Sequence, residues 1–210
     1  MIKMNGALGM LEKPVIACFT PGTKIAALHG EIPVEKIAAG DKVVTRDNGI
    51  QEIRWVGKKK IDWRIMTAHP HLKPILLRQG SLGSDLPERD MMISPNHRVL
   101  VENARTALQF DEPEVLVAAK HLIGGLSVRS IDSIGTTYIH FLFDRHEVVL
   151  SDGIWTESFQ PTDNTLKGFG NSQRAEIFEI FPNLKTSEGR ANFGPARKTL
   201  TKKEAAVLLD

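Results

Sequence analysis

From residue 18 to about residue 160 the chain cannot run far without meeting a turn. Gly40-Asp41, Asp47-Asn48-Gly49, the stretch from Gly80 to Pro87, Gly124-Gly125 and Ser151-Asp152-Gly153 all carry residues that favour tight turns. The apolar runs between them are short, and turn signals recur roughly every 8–12 residues, the texture of an all-β sandwich or barrel-like fold. Strands are expected at Lys24–Leu28, Lys42–Arg46, Gln51–Val56, Pro74–Leu77, Asp90–Ile93, Arg98–Glu102, Thr137–Phe143, Glu147–Leu150 and Ile154–Phe159. Val115–Leu122 reads as a short helix. After Phe159 the texture changes: Pro161 to Gly170 reads as a linker, and Ser172–Phe181 and Lys202–Leu209 read as helices, the second capped by Thr201. Residues 1–17 read as a flexible leader, 18–160 as one domain, and 161–210 as a linker with a helical C-terminal extension.

Bulk properties exclude several function classes. The 210 residues are 41% apolar and 25% charged, with a formal net charge of +2. That balance gives no electrostatic footprint for nucleic acid or an acidic membrane surface. Lys58-Lys59-Lys60 is the basic run of note, and Arg54, Lys58 and Lys60 read as the wet face of one strand rather than a binding patch. No apolar run approaches the roughly 20 residues of a membrane span. Val15-Ile16-Ala17-Cys18 has the look of a lipoprotein cleavage box, but Glu12, Lys13 and Pro14 interrupt the apolar stretch that a signal peptide needs. The compartment is open. With one cysteine in the chain there is no internal disulfide. His69-Pro70-His71 lacks a third ligand, so no metal or cofactor is expected.

Four clusters, in order, carry a family resemblance. Cys18-Phe19-Thr20-Pro21-Gly22-Thr23 opens the β region. Val34-Glu35-Lys36-Ile37 leads into Gly40-Asp41-Lys42-Val43. Ile93-Ser94-Pro95-Asn96-His97-Arg98-Val99-Leu100 follows, and Tyr138 to Ser158 closes the series. Together they resemble the Hint domain, the self-processing module shared by inteins and the Hedgehog C-terminal region, and most closely its bacterial branch. The resemblance covers residues 18–158. It implies a mainly β, Hint-type disc or horseshoe with a short helical C-terminal tail. It also implies a single-turnover, autocatalytic peptide-bond cleavage whose substrate is the chain's own N-terminal segment. Ser94 and His97 stand at the Thr and His positions of the family's Thr-x-x-His motif.

The residue chemistry agrees. A thiol at Cys18 can form a five-membered ring with the Ala17 carbonyl carbon, shifting the acyl group from nitrogen to sulfur. The departing nitrogen needs a proton, and a histidine titrates in a suitable range, which fits His97. Ser94, three residues earlier across a proline, can orient the scissile amide or the imidazole. The resulting thioester would be resolved by water or an external nucleophile. Further along, a two-residue period puts His140, Leu142 and Asp144 on one strand face, with His146 joining them if the strand continues, while Ile139, Phe141 and Phe143 face the core. By resemblance His140 stands where inteins often carry an Asp, and His146 matches the His of their next motif. His140, His146 and Asp144 therefore join Cys18, His97 and Ser94 as candidate catalytic residues. Asp62 falls in the region of the Hedgehog sterol-activating Asp, without an aligned match.

One departure limits the outcome. Inteins end with His-Asn before Cys, Ser or Thr, whereas the matching positions here are Thr156-Glu157-Ser158. Glu157 has no amide nitrogen with which to form a succinimide, so joining of flanking segments is not expected. Two alternatives stay open: a Hint-fold module that does not cleave and serves in binding or assembly, favoured by the short leader before Cys18, and a metal-dependent hydrolase.

Overall fold

The computed structural model describes residues 16–209, so most of the expected leader lies outside the described residues. The architecture is mainly β. The largest sheet has nine strands, with Lys24–Ala27, Val148–Ser151, Ile154–Glu157, Arg98–Glu102 and Glu114–Ala118 at its heart. Two smaller groups complete the body. Val128–Ser130, Ile75–Leu77 and Met91–Ile93 form one, and the long pair Trp55–Asp62 and Gly135–Leu142 forms the other.

Local sequence explains the register. In Gly135–Leu142 the alternation sends Ile139 and Phe141 into one apolar cluster and His140 and Leu142 toward a second, formed around Cys18 and Trp55. Both faces of the strand are covered, so the polar face expected for His140 is a dry one. The strand ends at Leu142, and the chain then turns, which takes Asp144 and His146 off that face. Gln51–Val56 is two strands, Gly49–Glu52 and Trp55–Asp62, interrupted by the buried Ile53.

Three other expectations are corrected. Val115–Leu122 is not a helix: Glu114–Ala118 is a strand buried along its whole length, followed by a short 3-10 turn at Ala119–His121. A run of buried apolar residues this short fits a strand covered on both faces as well as it fits a helix, and the pairing with Arg98–Glu102 decides it. Ala104–Phe110 is a helix that the sequence reading missed, held by a reciprocal capping box between Asn103 and Thr106. The stretch read as a linker contains the helix Asp163–Lys167, capped by Thr162, and it buries Leu166 and Phe169.

The C-terminal extension packs on the β body at two places. Helix Asn171–Ile180 and the turn after it bring Ile177, Phe181 and Leu184 into the cluster that contains Cys18. Further on, Lys198–Thr199 adds a parallel strand to Glu114–Ala118, and Leu200 donates its N–H to Leu116. The helix Lys202–Leu209 then docks Ala205 and Leu208 on the main core, while Val207 faces solvent. Arg197 clamps this return by ion pairs to Asp47 at 2.6 Å and Glu114 at 2.8 Å.

Truncating the fully buried Ile177 or Leu184 to Ala is expected to lower stability by about 2–5 kcal/mol, the usual cost of emptying a core site. Proteolytic removal of everything after Phe159 should lower the melting temperature of the remaining body. Calorimetry on the trimmed and intact proteins checks this, and identical melting would contradict the packing role of the extension.

Candidate active site

The site begins with a backbone ladder. Phe19 bridges Ile93 on one side and Ile139 on the other, closing the gap between the two smaller strand groups. Phe19 donates to the Ile139 carbonyl at 2.8 Å and accepts from the Ile139 N–H at 3.0 Å. The Ser94 N–H donates to the Cys18 carbonyl at 2.9 Å. Cys18 is therefore held as if it were part of a strand, with little freedom about its backbone.

Ser94 then reaches across the junction. Its Oγ accepts the Cys18 N–H at 2.9 Å and donates to the Ile16 carbonyl at 2.8 Å. Both bonds are buried, and they grip the chain on either side of Ala17. The turn Ser94-Pro95 is closed by the His97 N–H donating to the Ser94 carbonyl at 3.0 Å. Bonds from Ala119 to the His97 carbonyl and from Lys120 to the Pro95 carbonyl pin that turn to the neighbouring segment.

The thiol faces His140. Cys18 Sγ lies 3.4 Å from His140 Nδ1. The imidazole is boxed by Trp55, Phe159 and Phe169, with ring centroids 5.3, 5.6 and 4.9 Å away. Its other nitrogen, Nε2, is buried without a partner among the described residues. Gly57 makes room for the ring, because a Cβ there would come within 2.3 Å of His140 Nε2. Burial pushes the Cys18 thiol well above its ordinary range, and it pushes His140 down to about 3. Both groups are neutral at pH 7.

His97 approaches from the other side. Its ring packs edge-on to Phe19, with centroids 4.4 Å apart, and neither ring nitrogen has a hydrogen-bond partner among the described residues. Burial pushes it down to about 4; the Glu157 charge and the nearby Cys18 backbone pull it upward, while Arg98 and His146 add to the fall.

The remaining candidates separate. His146 accepts the Ala196 N–H at its Nδ1 (2.9 Å), which leaves the proton on Nε2. Nε2 lies 3.2 Å from the Ser158 carbonyl and 3.3 Å from Glu157 Oε2. His146 therefore meets Glu157 rather than the thiol. Asp144 is not gathered into the site: it is exposed, 3.7 Å from Arg54. Asp62 is also outside, exposed and accepting the Ile65 N–H at the start of a short helix.

The sequence reading treated Glu157 only as a missing Asn. Its carboxylate is 1% exposed and receives the Arg98 N–H at 2.9 Å and the Arg98 guanidinium at 2.8 Å. It lines a cavity of about 380 Å³ together with Ala17, Asn96 and Arg98. Phe169 was also missed, since the sequence around it, Lys-Gly-Phe-Gly, signals only a turn.

A family model described as a Hint domain matches residues 17–163. No curated protein matches the chain. Among solved structures, a bacterial intein-like domain from Clostridium thermocellum is 16% identical, with a TM-score of 0.45 over 69% of this chain and 99% of its own. The gp41-1 intein is 14% identical, with a TM-score of 0.40 over 67% and 97% of the two chains. A DnaB intein from Synechocystis sp. PCC 6803 is 11% identical, with a TM-score of 0.40 over 68% and 98%.

The two depressed histidines set a pH dependence of stability. An unfolded histidine takes up its proton near pH 6.5, whereas folded His97 waits until about 4 and folded His140 until about 3. Between those values the unfolded state binds more protons, so stability falls as the pH falls. By pH 5 each histidine should have removed about 2 kcal/mol relative to pH 7.5. Thermal unfolding at the two pH values checks this; equal stability would mean that the imidazoles are not held neutral.

Proposed function

Because the chain belongs to the Hint-domain family, we propose that it cuts itself once at the Ala17–Cys18 bond, by an acyl shift from nitrogen to sulfur. The observation that carries this reading is Ser94, whose hydroxyl accepts the scissile N–H while the thiol sits 3.4 Å from an imidazole nitrogen. His140 Nδ1 takes the thiol proton as Cys18 Sγ bonds to the Ala17 carbonyl carbon. His97, in its protonated form, gives a proton to the Cys18 nitrogen as the carbon–nitrogen bond breaks. The products are a thioester between Ala17 and Cys18 and a free amine on Cys18. Net, one proton moves from sulfur to nitrogen, and the two imidazoles exchange their charge. Ser94 orients the amide. In this reading His146 supports the site through Glu157, and Asp144 has no part.

The aromatic cover over the thiol supports a slow second step. Phe159 and Phe169 exclude water around His140 and Cys18, so the thioester waits for water or an external nucleophile to enter. Glu157 in place of an amide side chain supports an outcome without splicing. One observation favours a second reading. Cys18 is only 4% exposed and its thiol is held protonated, as suits a Hint-fold module that serves in binding or assembly without cleaving. Intact mass separates the two: loss of residues 1–17 belongs to cleavage alone.

Hydroxylamine or dithiothreitol should speed release of the leader peptide. Cys18→Ala should abolish it, and His97→Ala should slow it on the order of 10²–10⁴-fold. Ser94→Ala should have a smaller effect, and Glu157→Gln should not produce spliced product. Mass spectrometry over a time course reads all four, and release from Cys18→Ala at the wild-type rate would refute the mechanism.

A further inference from the structure

We propose that Glu157 is the counter-ion of the proton that His97 delivers, a positioning residue whose buried negative charge governs how readily His97 is protonated. The inference rests on the acyl-shift reading above and deepens it.

Three facts carry it. His97 is buried, and neither ring nitrogen makes a hydrogen bond of good geometry among the described residues, so its imidazolium form has little beyond the nearby Cys18 backbone to compensate the charge. Burying an unpaired charge is strongly disfavoured, and a nearby opposite charge is what offsets it. Glu157 supplies one. Its Oε1 accepts the N–H of Arg98, the residue next to His97, at 2.9 Å, and the strands carrying the two side chains pair at Thr156 and Val99.

The carboxylate is built to stay ionised at this spot. The Arg98 guanidinium donates to Oε2 at 2.8 Å, and His146 Nε2 lies 3.3 Å from the same oxygen. Desolvation opposes ionisation, yet these partners outweigh it and hold the Glu157 carboxyl below its ordinary range. The His146 proton is kept on Nε2 because Ala196, from the C-terminal extension, donates to Nδ1. His146 thus acts two steps from the chemistry, as the group that fastens Glu157.

The groups that bear on His97 are few. Glu157, from strand Ile154–Glu157, favours its proton; Arg98 on strand Arg98–Glu102 and His146 ahead of strand Val148–Ser151 oppose it; the Cys18 backbone favours it. Glu157 also lines the cavity that reaches Ala17, so its charge lies close to the amine that Cys18 gains in the thioester state. The positive species that faces this anion is the His97 imidazolium, before it gives its proton to the Cys18 nitrogen. Glu157 therefore favours the protonated His97 from which the proton transfer starts.

The test uses the full chain. In a Cys18→Ala background, which holds the junction intact, the His97 imidazole is titrated by NMR, alone and with Glu157→Gln, Glu157→Asp or Arg98→Gln. Glu157→Gln should lower the His97 midpoint by a unit or more, Glu157→Asp should keep it near its starting value, and Arg98→Gln should raise it. In the Cys18 protein, dithiothreitol-induced release at pH 7 should fall at least tenfold with Glu157→Gln, because each unit of midpoint is a tenfold change in the protonated fraction. Glu157→Asp should recover most of that loss. A His97 midpoint unmoved by Glu157→Gln would overturn the proposal, as would slower release without a moved midpoint. If Glu157→Gln does not fold, an Arg98→Gln midpoint that fails to rise overturns it instead. Leader release that persists in Cys18→Ala would instead remove the acyl-shift reading and leave the His97 titration to stand on its own.

Discussion

Everything at the site depends on one short piece of backbone. Cys18 and Phe19 are a strand in all but length, inserted between Met91–Ile93 and Gly135–Leu142 and hydrogen-bonded to both sides. That insertion brings together three segments far apart in sequence: the junction, the Ser94–His97 turn and the His140 strand. Because the bonds are main-chain bonds, the positions of Ser94 Oγ and His140 Nδ1 relative to the junction follow from register rather than from side-chain choice. A one-residue slip of either flanking strand would turn the site residues to the opposite face.

The insertion was half legible in the sequence. Turn residues at regular spacing gave the β architecture, and the order of Cys18, Ser94-His97 and the His140 strand gave the resemblance and the family. The alternation of Ile139, Phe141 and Phe143 against His140 and Leu142 gave the correct faces. What the pattern could not tell was that both faces are dry, because a strand covered on one side by a sheet and on the other by a distant segment reads like one exposed to solvent. The cover is the part that was lost: Phe169 sits in a turn-like Lys-Gly-Phe-Gly, and its burial follows only from where helices Asp163–Lys167 and Asn171–Ile180 place it. Asp144 shows the opposite error. Period-two reasoning assigned it to the His140 face, but the strand stops at Leu142 and the turn carries Asp144 into solvent. Glu157 was legible as a departure from a motif and illegible as a charge, since only the fold puts it beside Arg98 and His146.

The dry site explains why thiol and imidazoles all rest neutral. Desolvation raises the thiol and lowers both histidines, so the thiolate and the two imidazolium forms are each disfavoured in the resting protein. Under the proposed acyl shift, neutrality would limit premature loss of the junction, and the buried Glu157 charge would act more strongly because water is excluded around it. The extension takes part in both effects. Leu166 and Phe169 close the apolar side, while Ala196 fixes the His146 tautomer that steadies Glu157. Arg197, one residue on, ties the same segment to Asp47 and Glu114 on the body. A segment that reads in sequence as an appendage thus supplies part of the apolar cover around Cys18 and the hydrogen bond that orients His146 toward Glu157.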